Sequence, residues 1–381
     1  MGKLTTSESV SRGHADKICD QISDAILDAL LIGDPNSKVA VETLVKDNMV
    51  VIAGEVTTKA IIDYKKIVKE VVSDVGYSLE HGFHPSSISI INLIGEQSPE
   101  INNAVIMENE EIGSGDQGFM VSMATNETDN YMPLEIHMAK KIIDSIIEID
   151  GLGPDIKSQV TTEEIDGHKR IHTILVSTFH SKNMRLEDVR KTIINHIKYG
   201  ECKLSEDIMN MIDGETKFII NPSGAWDKQA GPVGDAGVTG RKIVVDQMGS
   251  ACPVGGGGFS GKDFSKIDRS GAYLARYIAK NIVSSGLVPK CVVEISYMIG
   301  VPEPSSINIE TFGRFKNDLL LTDIVKKIFP MTPKQIVDHF DMRRPIYLDT
   351  ARNGHFGRTG LPWERMDKVN DILSAIYLSE S

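Results

Sequence analysis

The sequence predicts an α+β fold built from mixed sheets, each with helices on one face. Three observations lead there. Segments with a helical repeat of apolar residues alternate with short β-branched runs along the whole chain. Hairpin patterns are mixed among the helices. No low-complexity tract, coiled-coil heptad or obvious repeat interrupts the alternation.

The elements follow in order. ADKICDQISDAILDALL (15–31) places Ile18, Ile22, Ala25, Ile26, Ala29 and Leu30 at helical spacing. Asp20, Asp24 and Asp28 fall on the other side and read as a solvated face. KVAVETLV, the turn Lys46-Asp47-Asn48 and MVVIAGEVTT read as a hairpin. YKKIVKEVVSDVGY is a short helix with a glycine near its end. Further on, HMAKKIIDSIIEID and LEDVRKTIINHIK read as helices, and HTILVSTFH, TKFIIN and RKIVVD as strands. RSGAYLARYIAKNIVSS is helical, KCVVEISYMIG is a strand, and LTDIVKKIF and TPKQIVDHF are helices. Boundaries are expected in the polar stretch near 100–112 and in the Gly- and Pro-rich stretch 222–235.

The chain has 381 residues, 41% hydrophobic and 25% charged, enough for two or three domains with a sizeable core. Lys+Arg is 41 and Asp+Glu is 53, so the formal charge is -12. That balance argues against non-specific nucleic-acid binding, which rests on clustered cations. It leaves room for a small phosphate ligand held by a local cluster. Cys19, Cys202, Cys252 and Cys291 are scattered, with no C-x-x-C pair, which fits a reducing compartment. No segment is apolar and long enough to span a bilayer. MGKLTT formally matches a myristoylation pattern, but no polybasic patch follows to reinforce a single acyl chain. A cytoplasmic protein that binds no membrane and no nucleic acid is the expectation.

GGGGFSGKDF (255–264) contains G-x-x-x-x-G-K, the first seven places of a P-loop, with Asp263 where Ser or Thr should hold Mg²⁺. The preceding strand pattern ends nine residues earlier at Asp246, and the next helical pattern begins only after Asp268. Both are out of place for a P-loop. Yet the glycines run straight into Lys262, Asp263, Lys266, Asp268 and Arg269. Mixed cations and carboxylates beside closely approachable backbone suit a polyphosphate with metal ions. GPVGDAGVTGRK ends in Arg241 and Lys242, GSGDQG sets Asp116 between glycines, and GHADK sets His14, Asp16 and Lys17 at a helix start. Each has a plainer reading. Asp16 can be an N-cap, Asp116 a turn residue, and Gly-Arg-Lys a solvated strand edge. Glu42 and Glu55 stand in apolar strand sequence, from which they can point outward.

Taken in order, ESVSRGHADKICDQISDAILDA, VETLV, AGEVTT, GEQSPEIN, GSGDQGFM, DIKSQV, GDAGVTGRKIVVD, GGGGFSGKDFSKIDRSGAYLARYIAKN and the tail GHFGR…PWE resemble the S-adenosylmethionine synthetase family over essentially the whole chain. The resemblance implies three similar α/β subdomains about a pseudo-threefold axis, here 1–100, 112–229 and 230–381, with chain crossovers between them. It implies two chains sharing each active site, in a dimer or a dimer of dimers. It also implies a reaction in which ATP and L-methionine give S-adenosylmethionine, and the triphosphate is then cleaved to pyrophosphate and phosphate. His14, Lys157, Arg241, Lys242, Lys262 and Lys266 would surround the triphosphate. Asp16 and Asp268 would hold Mg²⁺, with two ions per site, and Glu42 would serve K⁺. Glu55 and Gln97 would hold methionine, with Glu55 a buried partner for its ammonium group. Asp116, Asp155, Trp226 and Asp235 would line the nucleoside and methionine region.

The chain departs from the family pattern in several places. Ala15 and Phe264 each replace a proline, Glu100 stands where Asp is common, and NPSGAW puts Trp226 at the adenine-stacking position. A P-loop-like kinase or ATPase, and a non-catalytic nucleotide-binding subunit, are the competing functions.

Overall fold

The computed structural model describes residues 2–96 and 113–380. It has three sheets. Strands β1 (Lys3–Val10), β6 (Leu152–Ile165), β7 (His168–His180) and β8 (Lys217–Ile220) form the first, in the order β1-β6-β7-β8. β2 (Lys38–Lys46), β3 (Met49–Thr57), β4 (Ser89–Glu96) and β9 (Gly237–Val238) form the second, in the order β4-β3-β2-β9. β5 (Gly118–Thr125), β10 (Lys290–Tyr297) and β11 (Ser306–Glu310) form the third, in the order β11-β10-β5. Each sheet therefore recruits a strand from a distant part of the chain. β1 pairs antiparallel with β6, β9 with β2, and β5 with β10.

A helix lies on one face of each sheet. Helix α1 (Ala15–Gly33) packs on β2 and on helix α2 (Tyr64–Val75). The helix Leu134–Ile146 packs on β1 and β6, and the helix Ile267–Ser284 on β5 and β10. Of the apolar positions predicted for α1, Ile18, Ile22, Ala25, Ile26 and Leu30 are buried, while Ala29 is half-buried. Burying each isoleucine or leucine contributes about 1.5–3 kcal/mol relative to leaving it in water. One apolar core joins the α1 and Ile267–Ser284 units, while Leu134, Ile142, Ile174 and Ile193 belong to a second core around the β6-β7 sheet. The fold is α+β, as the alternating pattern predicts, with the three sheets that the resemblance implies for three subdomains.

Two local expectations are corrected. RKIVVD is not a strand. Ile243–Asp246 is a single helical turn, closed by the Asp246 N–H to the Lys242 carbonyl at 2.8 Å. Nor is the acidic stripe of α1 a solvated face, since Asp20 and Asp24 are 0% exposed and Asp28 is half-buried. The far side of α1 is covered by loops rather than by water. At four-residue spacing, the stripe accepts backbone N–H groups from those loops. Asp16 takes Val238, Asp20 takes Gly240, Asp24 takes Gly261, and Asp28 takes Tyr347 and Leu348. One helix thus pins both Gly-rich segments and the helix Tyr347–Asn353.

Candidate active site

His14, not Asp16, caps α1. Its Nδ1 accepts the Asp16 N–H at 3.1 Å, which places the ring proton on Nε2. Ala15 then occupies the first helical position, where proline is also tolerated, so the substitution leaves the helix start intact. His14 lines a cavity of about 420 Å³ with Asp155, Lys157, Trp226 and Asp235. Asp155 Oδ2 accepts the Gly231 N–H at 2.9 Å, while its buried Oδ1 has no partner. Lys157 Nζ sits 5.9 Å from the Trp226 ring centroid, and the indole N–H donates to the Gln229 carbonyl at 2.6 Å. Asp16 is bound by Lys242 Nζ at 2.5 Å, and Arg241 Nε lies 3.9 Å away. Asp16 and Lys242 are 226 residues apart in sequence, and β9 beside α1 brings them together.

A second cluster forms around the glycine run. Glu42, Glu55, Lys262 and Gly256–Gly258 line a cavity of about 520 Å³. Glu42 pairs in register with Ala53, and Glu55 with Ala40, so the two glutamates share one face of the sheet. Glu55 is exposed, which corrects the expectation of a buried carboxylate. Lys262 Nζ binds Asp268 at 2.5 Å. Asp116, exposed just before β5, lies two residues from Gly118, whose added Cβ would meet Asp268 Oδ1 at 3.5 Å. The glycines are needed for close approach. A Cβ on Gly257 would meet Asp268 Cγ at 2.2 Å, and Gly261 has φ +80° with Val41 O 1.9 Å from its Cβ position. Phe264 is buried, with Lys38 Nζ 4.4 Å and Arg343 Cζ 4.9 Å from its ring centroid. Aromatic–cation packing thus fixes the turn at the position of the replaced proline.

Lys266 joins neither cluster. Its Nζ is held 3.1 Å from buried Asp263, which also accepts the Val39 and Ser265 N–H groups. Gln97 and Glu100 lie outside the described residues. Among the described residues, no hydrogen bond or ion pair joins the His14 cluster to the Lys262 cluster. Sequence reasoning missed the supports behind the site. Lys17 bridges Asp20 at 3.0 Å and Asp246 at 2.7 Å, and Arg269 binds Asp24 through two bonds of 2.7 and 2.9 Å. The four-residue spacing of Asp16, Asp20, Asp24 and Asp28 is the signal that could have revealed them.

Burial, then the nearby charges of Lys242 and Lys157, push the His14 pKa down to about 4. Burial raises Asp155 to about 6. Because the folded value of His14 lies below the ordinary 6.5, the native state binds fewer protons there than the unfolded chain does. The resulting stability is present above pH 6.5 and is lost as pH falls through that window toward about 4. A histidine-selective NMR titration of the free protein should give a His14 midpoint near 4. A midpoint at 6.5 or above would refute this electrostatic picture.

Among the described residues, no group of three or more His, Cys, Asp or Glu forms a metal cage. Single carboxylates beside a phosphate site do fit Mg²⁺, which usually takes one or two protein carboxylates and completes its shell with phosphate and water. Asp16 and Asp268 are single carboxylates, each held by a lysine. Among the described residues, no helix is long and apolar enough to cross a membrane.

The N-terminal, central and C-terminal domain models of S-adenosylmethionine synthetase match residues 2–99, 111–226 and 229–365. Curated proteins called S-adenosylmethionine synthase match along nearly the full length. The Staphylococcus epidermidis protein is 45% identical, over 99% of this chain and 98% of its own. The Clostridium botulinum protein is 44% identical over 98% and 99%, and that of Brachyspira hyodysenteriae 46% over 97% of each. With the two cation–carboxylate clusters in place and all three domains matched, the chain belongs to the S-adenosylmethionine synthetase family.

Proposed function

We propose that the protein is a methionine adenosyltransferase that makes S-adenosylmethionine from ATP and L-methionine, then hydrolyses the triphosphate to pyrophosphate and phosphate. The observation that carries this reading is the meeting of His14, Asp155, Lys157, Trp226 and Asp235 in one cavity beside Asp16, Arg241 and Lys242. The methionine thioether has no proton to lose, so its attack on C5′ needs no activating base. The demand falls on the departing triphosphate, with about four negative charges. Lys157, Arg241, Lys242 and Lys262 answer it with positive charge. His14, neutral with its proton on Nε2, donates a hydrogen bond to the triphosphate near the breaking bond. Trp226 supplies a face for the adenine. Exposed Glu55, with Gln97, orients methionine, and Asp116, Asp155 and Asp235 complete the substrate contacts.

In the free chain Lys242 and Lys262 are held by Asp16 and Asp268. Those carboxylates would hold Mg²⁺, which when bound offsets charge on the phosphate oxygens, while the lysines turn to phosphate. Glu42 is the carboxylate for K⁺. The two clusters are halves of different sites, each completed by a second copy. The exposed apolar side chains Leu44, Leu93, Phe119 and Ile219 support such self-association. We place the subdomain limits at 1–100, 112–229 and 230–381, with a cytoplasmic location.

The test is an incubation with ATP, methionine, Mg²⁺ and K⁺ in which all products are measured. Equal amounts of S-adenosylmethionine, pyrophosphate and phosphate, dependent on methionine, are expected. ADP and phosphate without methionine would instead identify a kinase or ATPase.

A further inference from the structure

A third cavity, of about 340 Å³, is separate from both clusters. Its walls are the end of β1, the helix Leu134–Ile146 and the segment 352–358. Buried Ser9 reaches it from the side of β1 that carries this helix, whereas exposed Lys157 leaves the sheet on the other side, into the His14 cavity. The cations Arg12, Lys140, Lys141, Arg352 and Arg358 line it, against the carboxylates of Asp144, Glu148 and Asp246. Asp246 is already bound from behind by Lys17 at 2.7 Å. Lys140 is only 3.7 Å from Asp144, and Arg12 only 3.9 Å from Asp74. Arg352 holds Asp74 at 2.8 Å and Arg358 holds Asp349 at 2.5 Å, while Lys141 has no ion pair among the described residues.

Three donors on this wall lack acceptors. Arg352 Nε, Arg358 Nε and His355 Nε2 are buried without a hydrogen-bond partner. His355 is 1% exposed. The Tyr273 hydroxyl accepts from Arg269 Nε at 2.9 Å and lies 2.8 Å from His355 Nδ1. With that hydroxyl donating to Nδ1, the imidazole proton sits on Nε2. That atom lies 3.8 Å from Asp246 Oδ1, beyond hydrogen-bond reach. Buried donors without acceptors are costly unless a ligand or water meets them.

We propose that this cavity binds a multiply charged oxyanion of the phosphate class, at a site separate from the catalytic clusters. Such an anion offers only acceptors, which suits a wall that carries two guanidinium groups and an imidazole, while Lys140 and Lys141 balance its charge.

The test titrates the whole protein with inorganic phosphate by calorimetry, with histidine-selective NMR of His137 and His355 as local probes, since both line the cavity. Wild type and Lys262→Met should shift both histidine signals with the same midpoint, whatever further heat the Lys262 cluster adds in wild type. Lys140→Met/Lys141→Met should weaken binding at least about tenfold, with turnover and melting temperature unchanged. Arg358→Gln should weaken it too, which keeps the proposal testable if the double variant folds poorly. Pyrophosphate in place of phosphate, with the same dependence on these variants, supports the site whether it binds tighter or weaker, and the order says whether one phosphate or two fit. Absence of saturable binding up to about 10 mM overturns the proposal. So does binding that is lost in Lys262→Met and kept in the lysine double variant.

Discussion

Replacing Lys262 with Met will lower turnover by about 10²–10³-fold, the usual loss when one preorganised group is removed from a developing negative charge. Asp268→Ala should do the same, because it removes the carboxylate that would hold Mg²⁺. Neither change should unfold the protein. The Lys262–Asp268 pair is partly exposed, with side chains 29% and 20% accessible, so breaking it costs at most about 1 kcal/mol. Steady-state turnover and thermal melts of both variants separate the two effects. Near-normal turnover in both would remove this loop from the triphosphate site. A large fall in melting temperature with a proportionate fall in activity would make the pair structural instead.

The largest stability effect is expected at Asp24. Its two oxygens hold the Arg269 guanidinium at 2.7 and 2.9 Å, and both side chains are 0% exposed. Arg269 also reaches the Phe259 carbonyl and the Thr350 hydroxyl, so the pair ties the glycine run and the helix Tyr347–Asn353 to α1. Asp24→Ala leaves a buried guanidinium without its counter-charge and the Gly261 N–H without its acceptor. The expected loss is about 3–5 kcal/mol. The exposed pair Arg185–Asp188, with side chains 77% and 49% accessible, is the control, and Asp188→Ala should cost less than about 1 kcal/mol. Urea midpoints of the two variants should differ widely. Equal midpoints would show that the buried pair contributes no more than a surface one.

The second prediction concerns a residue that the sequence displayed but did not explain. LEDVRKTIINHIK is a helix over the very residues whose periodicity predicts it, and the Lys46-Asp47-Asn48 turn joins β2 to β3 in register. Such elements are legible because their buried side chains repeat at a fixed local period. The stripe Asp20, Asp24, Asp28 was not legible. Its partners are mostly backbone N–H groups from distant loops, and a backbone donor leaves no mark in the residue pattern. RKIVVD misleads for a related reason. Its β-branched run favours a strand, but Lys17 holds Asp246 against the start of α1, and the segment closes as one helical turn.

The sequence by itself determined the α+β class and most helices, and it supplied the candidate site residues from His14 to Asp268. Only the tertiary structure decided how those residues are divided. Lys242 and Lys262 are 20 residues apart, yet they stand in different clusters, because one leaves β9 beside Asp16 and the other follows the glycine run against Asp268. Which cation meets which carboxylate depends on strand pairings between remote segments, β9 with β2 and β5 with β10. Those pairings are selected by burial of whole faces, a property of the packed chain and not of any local stretch.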